Sequence, residues 1–227
     1  NISLKYILTI ILFLIEGVLV SQVEMVPPSN PVYDLLRRMQ YEEIIGNYNP
    51  ANIPLSRGEI ADLLKTIDAK SQKLSKIDRD LLGDFKVEFS YDINDNLKST
   101  SSLFSNFKWS DLTNNDKQKY VYAFADSNVS MFFDVSGNLY QRNSNGDTYG
   151  NRSITLGEAG FRFRSTLFRS VGFYLRASNG AKFSGEKEDV NFASQTDSKL
   201  KANTKFVYEN KNFDSFEGYL RYETPKR

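Results

Sequence analysis

From residue 84 onward, the sequence alternates apolar and polar residues with a period of two. This spacing is typical of β-strands whose sheet has one apolar and one polar face. The pattern is clearest in residues 161–167 and 171–177. Arg169-Ser170 lies between these two segments and is predicted to form the hairpin turn that joins them. The same alternation predicts strands at 129–136 and 216–223. Further strands fit residues 85–92, 103–110, 118–125 and 203–210, so about eight antiparallel strands are expected.

Turn signals rich in Ser, Asn and Gly separate these segments, at 136–138, 143–147, 178–180 and 210–212. Alternation fits a soluble sandwich as well as a membrane barrel. We favour the barrel because strands of about ten residues can cross a bilayer at a tilt. In addition, faces rich in Phe and Leu oppose faces that carry Arg, Asp, Glu and Tyr, as lipid outside and water inside require. The expected fold class is mainly β: an antiparallel transmembrane β-barrel, present in part, preceded by a small helical domain.

Residues 1–21 have the pattern of a secretory signal peptide. Lys5 precedes an apolar stretch at 6–15, and Ser21 supplies the small residue expected at a cleavage site. A transmembrane anchor is the alternative, but Glu16 interrupts the apolar run well short of the roughly 20 residues that a span needs. We therefore expect an exported protein that resides in the outer membrane.

Residues 22–83 have the features of a small α-helical domain, which we expect in the periplasm. Asn30-Pro31 places a capping residue before a proline at the first helical position. Ser56 and Glu59 have the spacing of a capping box, and Ser75 begins a third apolar stripe with helical spacing. Near Gly83 the composition changes, because 26 of the 31 aromatic residues lie in 84–227. We place the domain boundary there.

Charge and composition exclude several classes of protein. With 29 basic and 28 acidic side chains, the chain has no basic surplus that would hold nucleic acid by charge. It contains no Cys and no His, which excludes disulfides, thiolate sites, His-ligated metals and Ser-His catalysis. We expect a binding protein that is not an enzyme and that needs no cofactor and no metal.

The order of parts resembles a known family. The segment 26–39 (Val26-Pro-Pro-Ser-Asn-Pro and onward) is followed by 53–64 and then by the aromatic strands, with hairpin sequences at 157–168 and 172–180. This arrangement resembles the N-terminal part of the capsule-assembly outer-membrane proteins of the Wzi family. The helical segment is also similar to an S-layer-homology module, whose second helix opens on a Thr/Ser-Arg-x-Glu box.

The resemblance implies a larger outer-membrane barrel that binds capsular polysaccharide at the cell surface, as a lectin-like anchor. Its partners would be capsular or other surface polysaccharide and outer-membrane lipid, with peptidoglycan as a further partner of the helical domain. Because about eight strands are fewer than such a barrel holds, we expect 84–227 to be its N-terminal part. A complete eight-stranded barrel is the alternative.

Arginines on the polar faces of the strands are the first candidate site residues. Arg162, Arg164 and Arg176 share one face of the predicted hairpin, and Arg221 lies on the polar face of a later strand. They are predicted to hold an acidic polysaccharide by charge and bidentate hydrogen bonds. The alternative is that these arginines bind no polysaccharide. They would then line a water-filled barrel interior and pair with carboxylates. Those carboxylates would be Asp134, Glu217 and Glu223.

Aromatic residues are the second candidates. Trp109 and Tyr174 are predicted to stack on sugar rings. The same role is open to Tyr120, Tyr122 and Tyr140. An aromatic girdle at the membrane interface is the alternative explanation. Two other functions stay open at this point: a general outer-membrane porin, and a cell-wall-tethering protein that acts through its helical domain.

Overall fold

The computed structural model describes residues 22–46, 48–104 and 107–224, so the predicted signal peptide at 1–21 lies outside the described residues. None of the described helices is both long and apolar enough to span a membrane. The α-helices are α1 (Val32–Tyr41), α2 (Arg57–Asp68), α3 (Lys76–Glu88), α4 (Ser90–Asn94), α5 (Lys187–Thr196) and α6 (Ser198–Lys201).

The fold is mainly β. The strands are β1 (Thr100–Ser102), β2 (Gln118–Tyr120), β3 (Tyr122–Ala125), β4 (Val129–Gly146), β5 (Gly150–Leu167), β6 (Val171–Ser184) and β7 (Asn212–Tyr222). Five of them form an antiparallel sheet in the order β3-β4-β5-β6-β7, and β1 and β2 form a small parallel pair beside it. Within the described residues β3 and β7 are the two edges of the large sheet, which is open.

The predicted helix starts are confirmed. The Asn30 side chain accepts a hydrogen bond from the amide of Val32 at 2.9 Å, at the start of α1. Ser56 and Glu59 form the reciprocal capping box of α2. Ser75 caps α3 by accepting from the amide of Asp78 at 3.1 Å. These bonds satisfy amides that the first turn of a helix leaves unpaired, so Ser56 and Glu59 already have a structural role.

The strand predicted at 85–92 is wrong, because α3 continues through Gly83 to Glu88 and α4 follows at once. Phe85 and Phe89 lie on one side of this helical stretch and are buried in the core of the helical bundle. Their spacing of four residues fits a helix as well as it fits a strand. Packing against the core of α1 and α2 decides between the two.

Two turn signals lie inside strands. The segments Ser-Gly-Asn at 136–138 and Ser-Asn-Gly at 178–180 belong to β4 and β6. Strand β4 also includes residues 143–146 of the turn predicted at 143–147. The β4–β5 register runs without a break from Val129 opposite Leu167 to Gly146 opposite Gly150. This long ladder of hydrogen bonds outweighs the local preference of Ser, Asn and Gly for turns.

The strand predicted at 203–210 is also wrong, and so is the one predicted at 103–110 in its described residues, 103–104 and 107–110. Trp109–Leu112 is a 3₁₀-helix, and it is held by the carboxylate of Asp111, which accepts from the Ser101 hydroxyl at 2.8 Å. Lys205–Glu209 is a π-helical turn in which Phe206 is fully buried. It packs with α5 and α6 over the far end of the sheet, against Ile154, Leu156 and Phe213.

At Gly172 the segment before α1 approaches the sheet closely. A Cβ atom there would lie 2.4 to 2.6 Å from backbone atoms of Val23 and Glu24, which cannot move without shifting that segment. We expect Gly172→Ala to lower the free energy of unfolding by about 1–3 kcal/mol. Gly137→Ala is the matched control, because on β4 the nearest atom would lie at 4.0 Å. Urea unfolding of both variants measures the difference, and equal stability would contradict the close approach.

Candidate functional site

The two faces of the large sheet differ in chemistry. We define the outer face by strand β4: it is the side of the sheet that carries Val129, Met131, Phe133, Val135 and Leu139. The alternation of side chains along β4 and the register with β5 place these residues on one side. Several of its side chains are freely exposed, with 63% exposure for Val135 and 73% for Leu139. Neighbouring strands contribute Phe124, Phe161, Phe163, Phe173, Leu175, Phe216 and Leu220 to the same face.

The apolar part of the outer face ends partway along the strands. On β4, Leu139 is followed on the same face by Gln141, Asn143 and Asn145. The strands beside it change in the same way, since Asn151, Ser153 and Thr155 of β5 lie opposite these residues. From Val129 to Leu139 the apolar part covers about 34 Å along the strand. At a tilt of about 45° that corresponds to about 24 Å, close to the apolar band of a membrane barrel.

The inner face, on the opposite side, carries all four predicted arginines. Arg162 lies directly opposite Arg176 in the β5–β6 register, and Arg164 lies opposite Tyr174. Arg221 lies opposite Gly172 and therefore shares their face. The prediction that these side chains lie on one face is confirmed, although the helical part of the chain covers this face.

Arg164 is buried in a cluster of two arginines and two carboxylates, which we call the ionic cluster: Glu24, Arg57, Asp92 and Arg164. Arg164 is 1% exposed and binds Glu24, and its guanidinium lies 3.8 Å from the ring centroid of Phe132. Arg57 donates to Asp92 at 2.7 Å, and its Nε lies 3.7 Å from Glu24. Two positive and two negative charges balance, as burial requires.

The ionic cluster joins separate parts of the chain. Glu24 belongs to the segment before α1, Arg57 opens α2, Asp92 lies in α4 and Arg164 lies in β5. Around it, Thr166 donates to Glu24 at 3.0 Å. We conclude that Arg164, a predicted polysaccharide ligand, holds the helical part of the chain against the sheet.

The other predicted arginines have different environments. Arg162 binds Asp134 at 2.8 Å, and Arg221 lies 3.3 Å from Glu223, which are two of the pairs that the alternative explanation named. Within the described part of the chain, Arg176 forms no ion pair within 4.0 Å. Glu217, the third carboxylate that the alternative named, lies opposite Arg176 in the β6–β7 register. Arg176 is therefore the one of the four predicted arginines that no close ion pair holds.

Tyr174, Arg162 and Arg176 meet at one cavity of about 130 Å³, where Arg57 joins them. Tyr174 is 5% exposed and its ring lies 5.9 Å from that of Tyr219. Trp109 does not take part: it lies in the 3₁₀-helix, is 81% exposed and is not among the residues that line the cavity. The structure thus brings three of the six predicted site residues together.

Arg57, Glu24 and Asp92 are site residues that the sequence reasoning missed. Glu24 stands in the apolar run 23–26, and a charge in such a run is a signal for a buried partner. Arg57 and Asp92 carry no comparable signal, because charged residues at such positions of a helix are usually exposed. Only the packing of the helices onto the sheet brings them together.

Glu59 links the capping box to the sheet, since its carboxylate also lies 3.2 Å from Arg221. Burial raises the pKa of Glu59, but hydrogen bonds from the hydroxyl and amide of Ser56, together with Arg221, bring it below its usual value. A lowered pKa in the folded state adds stability above the ordinary pKa of about 4.3, and this contribution is lost on acidification through the folded-state value.

We therefore expect Glu59→Gln, which keeps the capping geometry, to make the stability less dependent on pH below about 5. Urea midpoints measured between about pH 3 and pH 6 test this. Asp62→Asn on the same helix is the control, because Asp62 is 79% exposed. If the pH dependence of the urea midpoint is the same in Glu59→Gln as in the unchanged protein, the Glu59 carboxylate does not contribute to the pH-dependent stability.

Comparisons with known proteins give no match, whether the chain is compared with protein-family models, curated proteins or solved structures. The resemblance to the Wzi family therefore rests on the sequence patterns alone. Among the described residues, no group of three or more Asp and Glu side chains is arranged to hold a metal ion.

Proposed function

We propose that this chain forms part of an outer-membrane β-barrel that serves the assembly or attachment of capsular or other surface polysaccharide, by binding and not by catalysis. The observation that carries the membrane part is the outer face. Its apolar band has no charged side chain along β4 from Val129 to Leu139, and it gives way to amide side chains beyond Leu139. Such a band fits lipid, with polar residues where the strands leave it.

The connections between strands support an orientation. Residues 126–128 and 168–170 are short turns at one end of the sheet. The other end carries the short turn 147–149 and the long connection 185–211 between β6 and β7, which contains α5 and α6. Outer-membrane barrels have short periplasmic turns and longer extracellular loops. The helical part contacts the sheet at Gly172, beside the short turn, so it would lie on the periplasmic side.

The inner face supports the polysaccharide part of the proposal. Arg162, Arg176 and Tyr174 combine charge with an aromatic ring, and both are used in binding acidic sugars. A general porin would have the same outer face but no need for these three side chains at one cavity.

Membrane fractionation and heat-dependent gel migration test the membrane part. We expect the protein to partition with outer membranes and to migrate differently with and without boiling. Recovery in the soluble periplasmic fraction would contradict the proposal. For the polysaccharide part, we expect retention on immobilised acidic capsular polysaccharide. Ion conductance in planar bilayers without such retention would favour a porin.

A further inference from the structure

A cleft of about 130 Å³ lies between the 25–31 segment and the inner face of β5 and β6. Three guanidinium groups line it, those of Arg57, Arg162 and Arg176, together with Tyr174. No acidic side chain is among the described residues that line the cleft. Three arginine side chains around one concave site offer several hydrogen-bond donors to a bound anion.

The carboxylates that pair with two of these arginines lie outside the cleft. Arg57 binds Asp92 at 2.7 Å and Arg162 binds Asp134 at 2.8 Å, and neither carboxylate is part of the lining. These pairs fix the two guanidinium groups in place. Arg176 forms no ion pair within 4.0 Å in the described part of the chain, and the carboxylate opposite it in the β6–β7 register, that of Glu217, is not part of the lining of the cleft.

The size of the cleft limits what it can hold. Since a water molecule takes about 30 Å³ of liquid, the space is equal to about four waters. That is enough for one carboxylate or phosphate group but not for a chain of sugar rings. Guanidinium groups bind these planar or tetrahedral oxyanions with two parallel hydrogen bonds.

We propose that this cleft binds a single sugar-borne oxyanion, either the carboxylate of a uronic acid or the phosphate of a phosphorylated sugar. The inference rests on the proposed function, because it names the chemical group of the polysaccharide that this protein would recognise. The neutral parts of the glycan would lie outside the cleft.

Calorimetric titration of the full chain in detergent tests this, with glucuronate, inorganic phosphate and neutral glucose as probes. We expect saturable binding of glucuronate or phosphate that weakens as salt increases, and no binding of glucose. Tighter binding of glucuronate assigns the group as a uronic acid, and tighter binding of phosphate assigns it as a sugar phosphate. Absence of saturable binding for both anions would overturn the inference.

Arg176→Gln is the decisive variant, because among the described residues the Arg176 side chain forms no ion pair within 4.0 Å. We expect about tenfold or greater loss of affinity for the bound anion, and partial recovery in Arg176→Lys, which keeps the charge but loses the bidentate geometry. Arg152→Gln is the matched control on the inner face of β5, where Arg152 donates to the carbonyl of Tyr149 at 3.1 Å. Equal losses in both Gln variants would contradict a specific site.

The two proposals fail in different ways. A protein that enters outer membranes but binds neither anion would refute the cleft and leave the membrane function standing. A protein that binds an anion through Arg176 but stays soluble in the periplasm would refute the membrane function and keep the cleft.

Discussion

Replacing Arg164 with Met is expected to lower the free energy of unfolding by about 3–5 kcal/mol, because the change removes one partner of a buried ion pair. Arg164 is 1% exposed, and its partner Glu24 is fully buried. Without the guanidinium, the ionic cluster would hold two carboxylates, Glu24 and Asp92, against the single charge of Arg57. The loss of the contact with the ring of Phe132 adds to the cost. Denaturant unfolding of the full chain in detergent measures the effect.

The double variant Glu24→Gln with Arg164→Met separates charge balance from simple loss of contacts. Each single change leaves one uncompensated buried charge, of opposite sign in the two cases, whereas the double change restores neutrality. We therefore expect the double variant to be more stable than the sum of the single effects predicts, by about 1–3 kcal/mol. Strict additivity would show that the four groups do not act as one cluster. Arg152→Met, on the same strand and face, is the control for loss of an arginine side chain.

Local signals in the sequence predicted the parts of the fold that local chemistry determines. The caps at Asn30, Ser56 and Ser75 each form within three residues, so the helix starts could be found from short patterns. The hairpin of β5 and β6 followed from strict alternation around Arg169-Ser170. Alternation also placed the arginines together, because register in a hairpin fixes which side chains share a face.

Long-range packing determined what the sequence could not reveal. Arg164 and Glu24 are 140 positions apart, and no periodicity relates such positions. Phe85 and Phe89 have a spacing that fits a strand and a helix equally, and only the core that buries them selects the helix. Phe206 lies in a segment predicted as a strand, but it is buried in a π-helical turn. The aromatic surplus of 84–227 therefore serves two purposes, helical packing in some segments and the outer face of the sheet in others.

Replacing Val135 with Arg is expected to destabilise the membrane-inserted protein by about 2–4 kcal/mol, which is the cost of a basic side chain at the middle of a bilayer. Val135 lies in the apolar part of the outer face and is 63% exposed in the isolated chain. In a soluble protein, the same change at such an exposed position would alter stability by about 0.5 kcal/mol or less. The variant therefore reports directly on whether lipid covers this face.

Asn143→Arg is the matched control, since Asn143 lies on the same strand and the same face but beyond the apolar band. There we expect a cost of about 0–1 kcal/mol, because an arginine near the interface keeps its charge in water. Unfolding by urea in lipid vesicles compares the two variants. If both cost the same small amount, lipid does not cover the outer face. A large cost at Val135 alone would show that lipid covers the apolar band and that the boundary of the bilayer lies between Val135 and Asn143.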